Sequence, residues 1–290
     1  MSPRRLPGRP PRHLPRTLLA SALLLATGHA AAGPWIAAPG HGSLALGFDW
    51  QSGNTYLVGT QAVSLPGDLS YQTLTLDATY GVNRWLALDA SVGNQRRKFE
   101  PQRPQLFPSS SESAATDPKI GLNLLLLDEF AHDGAPSIGL RVGAIFTGGA
   151  DADAFGSTAA GSNAIDLSLA IGRYITRDFS LAASVGMIQR ARDFPREVTY
   201  SLSASVAVTP DITLWAGIDA LRSEGENSIT FRQASAEGFA RRSVDEDSWN
   251  VGASFALSRQ VSLDLTYSAV TGGCNTLKGD TFSAALAYSF

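Results

Sequence analysis

Cysteine, methionine and charge are all scarce in this chain. One cysteine, Cys274, in 290 residues excludes an intrachain disulfide framework and every multi-cysteine metal site. Only 17% of residues are charged, against about 25% in an ordinary soluble domain. No stretch reaches the ~18 consecutive apolar residues of a spanning helix. The formal net charge is -3, and setting aside the five arginines among the first 16 residues (Arg4, Arg5, Arg9, Arg12 and Arg16) leaves -8. An acidic chain does not seek phosphate backbones, so nucleic acid is excluded as a partner. What the chain does have is 28 glycines, abundant Ser, Thr and Ala, and only 2 methionines. That composition favours thin, extended structure over a helical core.

The N-terminus reads as a secretory signal. Met1 to Arg16 is Arg- and Pro-rich without an acid, Thr17 to Thr27 (TLLASALLLAT) is apolar, and Gly28 to Ala32 offers small residues at cleavage-site spacing. Arg4-Arg5 lacks the rest of a twin-arginine pattern, and no cysteine follows that would mark a lipoprotein. Cleavage after Ala30 or Ala32 makes residues 1–32 a removed signal peptide and residues 33–290 a single domain.

From Ser43 to Phe290 apolar residues recur at every second position. The runs begin with Leu44, Leu46, Phe48 and Trp50, continue with Leu74, Leu76, Ala78 and Tyr80, and end with Phe282 to Phe290. Period 2 sustained over roughly ten residues, about twelve times, is a strand signal. Short connections such as Gly81 to Arg84, Tyr174 to Asp178, Thr209 to Asp211 and Ser258 to Gln260 alternate with long ones: Ser52 to Leu69, Asn94 to Thr116, Gly148 to Ser162, Ile188 to Glu197, Arg222 to Asp247 and Thr271 to Gly279. Asp128 to Pro136 is the exception, a longer connection where a short turn is expected. A repeated hairpin motif (YGVNRWLALDASVG, YITRDFSLAASVG, VTPDITLWAGIDA, LSRQVSLDLTYSA) keeps the same register.

A secreted β-sandwich also alternates its faces, but soluble strands average five or six residues, whereas ten residues tilted about 45° span an apolar membrane band. The polar face, moreover, holds Ser, Thr, Gly, Ala and Asp in place of the Lys and Glu of a solvated sheet. The fold expected is all-β: a transmembrane antiparallel up-and-down barrel of about 12 strands. Aromatic belts are expected from Tyr80, Tyr174 and Phe179 beside the short turns, and from Trp50, Tyr71, Phe146, Tyr200, Trp249 and Tyr267 toward the long connections.

With the apolar set facing lipid, the inward set contains Asp49, Asp77, Asp89, Asp166, Asp219 and Asp264 with Lys119 and Arg141. These are the lumen-lining candidates. Two readings stay open: a passage biased toward cations, or carboxylates paired off against Lys119, Arg141 and hydroxyl groups. Asn94 to Thr116 could fold inward as a constriction, and Ser228 to Phe231 could extend a strand or form a hairpin. Basic clusters at Arg96, Arg97, Lys98, Arg103, Arg241 and Arg242 suit solvation or lipopolysaccharide contact.

Enzyme chemistry finds little to work with. After signal removal the histidines are His41, ahead of the first strand, and His132, in a turn; neither sits on a strand wall beside a serine. No phosphate cradle or metal-spaced pair is present, Asp151-Ala152-Asp153 lacks the rest of a calcium loop, and Cys274 stands in a loop without a partner. No enzyme activity, cofactor or metal is expected.

The terminal FSAALAYSF resembles the C-terminal signature of Gram-negative outer-membrane proteins, with Tyr288 and Phe290 as the residues read by the barrel-assembly machinery. YGVNRWLAL (Tyr80 to Leu88), DPKIGLNLLLL (Asp117 to Leu127), IGLRVGAIFTGG (Ile138 to Gly149) and the closing YSF are together similar to the transporter-like family of the MetA-pathway of phenol degradation. Where that family has a Gly-Asp pair ahead of a strand, this chain has Thr116-Asp117. The resemblance implies an outer-membrane barrel passing small, often aromatic or hydrophobic compounds, and it brings no catalytic residues. The expected function is therefore an outer-membrane channel or transporter for a small-molecule solute, surrounded by lipid and lipopolysaccharide. The alternative is a closed structural or adhesion barrel whose long loops bind a partner.

Overall fold

The computed structural model of the protein describes residues 33–103, 105, 109–132, 134–149, 162–191, 194–224 and 243–290. Among these the regular elements are all strands: β1 (Gly42–Val58), β2 (Gln61–Asn83), β3 (Leu86–Pro101), β4 (Ser110–Ala115), β5 (Lys119–Leu127), β6 (Ser137–Ile145), β7 (Ala164–Tyr174), β8 (Phe179–Arg190), β9 (Arg196–Thr209), β10 (Ile212–Glu224), β11 (Asp245–Ala256), β12 (Val261–Cys274) and β13 (Leu277–Ser289). The calcium-loop candidate Asp151 to Asp153, Ser228 to Phe231 and Arg241-Arg242 fall outside the described residues, as does the expected signal peptide of residues 1–32.

Each strand pairs antiparallel with its neighbour, and β1 pairs with β13 from Ser43↔Ser289 to Tyr56↔Leu277, which closes the sheet on itself. β4 and β5 are one stave. Both lie along β3, the first opposite Asn94 to Phe99 and the second opposite Leu86 to Ser91. The break at Thr116-Asp117-Pro118 follows from proline's missing amide hydrogen; the chain stays in the wall because Thr116 donates to Gly93 O at 3.0 Å and Phe146 donates to Pro118 O at 2.8 Å. The result is a closed antiparallel barrel of 12 staves.

Closure and alternation together settle which face is which. Leu46 is 52% exposed on the outside, while its neighbour Ala45 is 2% exposed within. Leu44, Phe48, Leu74, Leu76, Leu122, Leu167, Ile218 and Leu286 continue the same outer apolar surface. So much exposed apolar surface suits hydrocarbon and not water. Since the β1–β13 pairing closes the sheet, no open edge strand is left to face lipid.

The long connections are corrected by the structure. Ser52 to Leu69 is not a loop: β1 and β2 run on past Gly53↔Leu69, with a bulge, to a two-residue turn between Val58 and Gln61. Asn94 to Thr116 likewise extends the wall as β3 and β4 and does not fold inward over residues 94–101 and 110–115. Ile188 to Glu197 and Thr271 to Gly279 belong mainly to the ends of β8, β9, β12 and β13. Their alternation is poor, which hides strand continuity from sequence periodicity.

Two members of the expected aromatic belts also turn the other way. Tyr71, 5% exposed, shares the inward face of Thr73 and Thr75, opposite Gln51 and Arg97. Tyr174 pairs with the inward, buried Ser180 and packs on Trp35 at 5.2 Å. On the outside, Trp249, Tyr267, Phe282 and Trp50 form a continuous band, with ring centroids 5.4, 4.9 and 6.0 Å apart in turn. Such a band fits a membrane interface.

The assignment of faces predicts unequal costs for charge. Leu76→Arg, outward, should destabilise the barrel by about 2–4 kcal/mol in phospholipid vesicles, and Thr75→Arg, inward, by clearly less. Denaturant unfolding of the two variants in the same vesicles measures the difference.

Candidate functional site

The register places all eight lumen-lining candidates on the inner face. One hydrogen-bonded row across four staves reads Asp89↔Gly121↔Gly143↔Asp166. Arg141, one step below Gly143 on β6, lays its guanidinium along this row. It donates to Asp89 through Nε at 3.0 Å and Nη2 at 2.8 Å, and to Asp166 through Nη1. Asn123 adds a bond to Asp89 at 2.5 Å. The two glycines make room for it. A Cβ on Gly121 would lie 2.5 Å from Asp89 Oδ1 and 2.7 Å from Arg141 Nη2, and one on Gly143 would lie 2.8 Å from Arg141 Nη1. Bidentate pairing of this sort fixes geometry as well as charge.

The remaining candidates are not gathered here. Asp219 accepts from Asn250 Nδ2 at 2.6 Å on the far wall. Asp264, 6% exposed, lies opposite Ser254, whose side chain reaches its carboxyl group, and it makes no ion pair among the described residues. Asp49, Asp77 and Lys119 make no hydrogen bond or ion pair among the described residues. The pairing reading therefore applies to Asp89 and Asp166, while Lys119 pairs with none of the candidates.

Other inward groups escaped the sequence reading. Higher in the same sector, Arg190 sits between Glu197 at 3.4 Å and Asp117 at 3.8 Å. It was hidden because Ile188 to Glu197 reads as a connection. At the end of the long hairpins, Arg97 meets Glu112 at 2.6 Å, beside a packed apolar cluster of Tyr56, Leu69, Tyr71 and Leu277. Tyr56 Oη donates to Asn275 O at 2.7 Å, tying the β1–β2 hairpin to the β12–β13 turn. At the end of β12, burial and the nearby Asp245 push the Cys274 thiol pKa up.

The charges are segregated around the wall. Arg97, Lys119, Arg141 and Arg190 all stand on β3 to β8, whereas the inward positions of β9 to β13, β1 and β2 carry no lysine or arginine among the described residues. That second sector is lined by Ser, Thr, Ala and Gly with Asp49, Asp77, Asp219 and Asp264. Hydroxyl pairs at its border, Ser180–Ser205 at 2.7 Å and Ser184–Ser201 at 2.9 Å, satisfy one another without charge.

The segment before β1 enters the lumen at the short-turn end. Pro34 is fully buried, and a Cβ on Gly139 or Gly172 would strike it or Trp35 at 2.8 to 2.9 Å. Trp35 Nε1 donates to Glu129 Oε1 at 2.8 Å, and Glu129 Oε2 accepts from Tyr174 N at 2.9 Å. Glu129 comes from the Asp128 to Pro136 connection, which explains why that turn is longer than its counterparts. Between this segment and the guanidinium lies a small cleft lined by Pro34, Ile36, Asn123, Gly139, Arg141 and Ser168. His41 and His132 stay outside the wall strands, and among the described residues no group of His, Cys, Asp and Glu is placed to hold a metal ion.

Comparison with known proteins gives one family and a set of similar barrels. The family model described as "Putative MetA-pathway of phenol degradation" matches residues 37–286. Among solved structures, an outer membrane channel from Pseudomonas putida F1 matches with TM-score 0.69 at 16% identity, covering 90% of this chain and 100% of that one. The translocator domain of the autotransporter NalP from Neisseria meningitidis matches with TM-score 0.55 at 11% identity over 95% and 94% of the two chains. The KdgM porin in complex with oligogalacturonate matches with TM-score 0.51 at 10% identity over 86% and 99%. A comparison with curated proteins finds no match.

The bracket of Arg141 yields a stability prediction. Arg141→Leu leaves two neighbouring carboxylates unpaired and should cost about 3 kcal/mol, whereas Lys119→Leu, with no partner to strand, should cost less than about 0.5 kcal/mol. Parallel denaturant titrations of the folded barrels separate the two.

Proposed function

The chain belongs to the family of the MetA-pathway of phenol degradation, and on that premise we propose that it is an outer-membrane channel passing small solutes through its own lumen. One observation carries the reading. Apart from Trp215 and the hairpin-end cluster of Tyr56, Leu69, Tyr71 and Leu277, the inner wall is small and polar over β9 to β2, while among the described residues every inward guanidinium is held on the opposite staves. A barrel meant only as a rigid support would fill its interior with bulky, mutually satisfied side chains; small linings at this strand number favour free volume instead. The P. putida neighbour is itself an outer membrane channel and KdgM a porin, which agrees with this reading.

In this account Met1 to Ala32 directs export, Tyr288 and Phe290 present the C-terminal signal to the barrel-assembly machinery, and the outer face meets outer-membrane lipid and lipopolysaccharide. The short turns then lie on the periplasmic side and the long hairpins outside. A solute enters past the hairpin ends, descends along the hydroxyl- and carboxylate-lined sector, and leaves beside the Gly33 to Gly40 segment. Asp49, Asp77, Asp219 and Asp264 make the path attractive to cations. Asp89 and Asp166 contribute less because Arg141 neutralises part of their charge. The segment at the periplasmic exit narrows the route and sets its conductance. Solutes of the family's aromatic kind would use the same path, with the ring against the apolar hairpin cluster during entry. The proposal needs no enzymatic step.

Single-channel recording in planar bilayers tests the reading. The protein should give reproducible conductance steps, and replacing Pro34-Trp35-Ile36 with Gly-Gly-Gly should raise the step size at least about twofold by releasing the segment from Gly139, Gly172 and Glu129. Folded protein that is silent in both forms would overturn the channel.

A further inference from the structure

Of the chain's tryptophans, Trp50 and Trp249 face outward, Trp85 stands in a turn and Trp35 lies in the N-terminal segment; Trp215 alone sits on the inner face of a strand. Its strand alternates normally, with Ile212, Leu214 and Ile218 pointing out and Thr213, Gly217 and Asp219 pointing in. A large ring among such small neighbours requires a notch. Gly252, its cross-strand partner on β11, supplies one: a Cβ there would fall 2.2 Å from Cζ2 and 2.4 Å from Cε2 of the indole. No acceptor among the described residues meets the indole N–H.

The surroundings are polar and of one charge sign. The row through Trp215 reads Ser205↔Trp215↔Gly252↔Thr266↔Ser283↔Asp49. In the next row, Ser254 on β11 pairs with Asp264 on β12, so this buried carboxylate, with the Ser254 side chain beside it and no ion pair among the described residues, is a diagonal neighbour of Gly252. A buried carboxylate met by a hydroxyl and by no cation still calls for a counter-charge. The described residues bring none, since the inward positions of β9 to β13, β1 and β2 hold no lysine or arginine among them. An aromatic ring attracts cations to its face, and most strongly where water is excluded.

We propose that Trp215, seated on Gly252 and backed by Asp264, forms a binding site for a small organic cation, an ammonium group carried on a planar or apolar body. The inference rests on the lumen being the solute path, since a ligand reaches this site only from within. Ring and carboxylate divide the work: Trp215 takes the apolar body and one face of the cation, Asp264 supplies the charge, and the hydroxyls of Ser205, Ser254 and Thr266 take the remaining polar contacts. An anion of the same shape meets only repulsion in this sector.

Calorimetric titration of the detergent-folded protein with phenyltrimethylammonium, and separately with benzoate, tests the site without needing conductance. The quaternary cation should bind at least about tenfold more tightly than benzoate, and Trp215→Leu should weaken it about tenfold. Gly252→Ala, which keeps the indole but displaces it, should weaken binding similarly, as should Asp264→Asn. Heat-modifiable electrophoretic mobility confirms that each variant is folded. Equal affinity for the two probes, unchanged affinity in Trp215→Leu and Gly252→Ala, or no binding at all overturns the site. Conductance without binding fails the site and leaves the channel reading standing; binding without conductance does the reverse.

Discussion

Lipid cannot hydrogen-bond a backbone, so a sheet that crosses a membrane must leave no edge. The seam between β1 and β13 meets that requirement, and the rest of the molecule depends on it. Once Ser43↔Ser289 and Leu44↔Tyr288 fix its register, strand alternation sends every second side chain outward and the others inward around the whole ring. A slip of one residue at the seam would exchange the two faces and put Asp49 and Asp77 in hydrocarbon.

Within the lumen, glycine placement decides what large side chains can do. Gly121 and Gly143 let Arg141 lie flat against the wall between Asp89 and Asp166. Gly252 does the same for Trp215, and Gly139 and Gly172 seat Pro34 and Trp35. Each notch holds a bulky group against the wall and away from the axis. Inward lysine and arginine thus stand on one sector, and among the described residues the inward charges of the other are all carboxylates. This asymmetry gives a narrow barrel a directional interior without any loop folded across it over the described residues of β3 and β4.

Much of this was legible in the sequence. Period-2 runs with small polar partners revealed the barrel and the inward Asp, Lys119 and Arg141, because a lipid-facing position admits few residue types. Connections were less legible. Ser52 to Leu69, and residues 94–101 and 110–115 of the next connection, extend the strands with side chains that face water on one side and the mouth on the other, so apolar alternation fades although the hydrogen-bonded ladder continues. Tyr71 looked like a belt residue because an interface aromatic and an inward aromatic are alike in sequence; only parity with Thr73 and Thr75 separates them. The pairing of Asp89 and Asp166 with Arg141, and the separation of Lys119 from any carboxylate, depend on which strands are adjacent and at what offset. A single sequence does not carry that offset. Trp215 did leave a trace, as the one tryptophan on a small-residue face.

The central claim is an open lumen lined on β9 to β2 by carboxylates. The measurement that tests it most directly is the reversal potential across a planar bilayer under a tenfold potassium chloride gradient, for the native protein and for the Asp49→Asn, Asp77→Asn, Asp219→Asn combination. The account predicts a clear cation preference in the native protein that falls toward zero in the combined variant, while Asp89→Asn alone changes it little. A native reversal potential near zero, or a preference that survives loss of all three carboxylates, would contradict it.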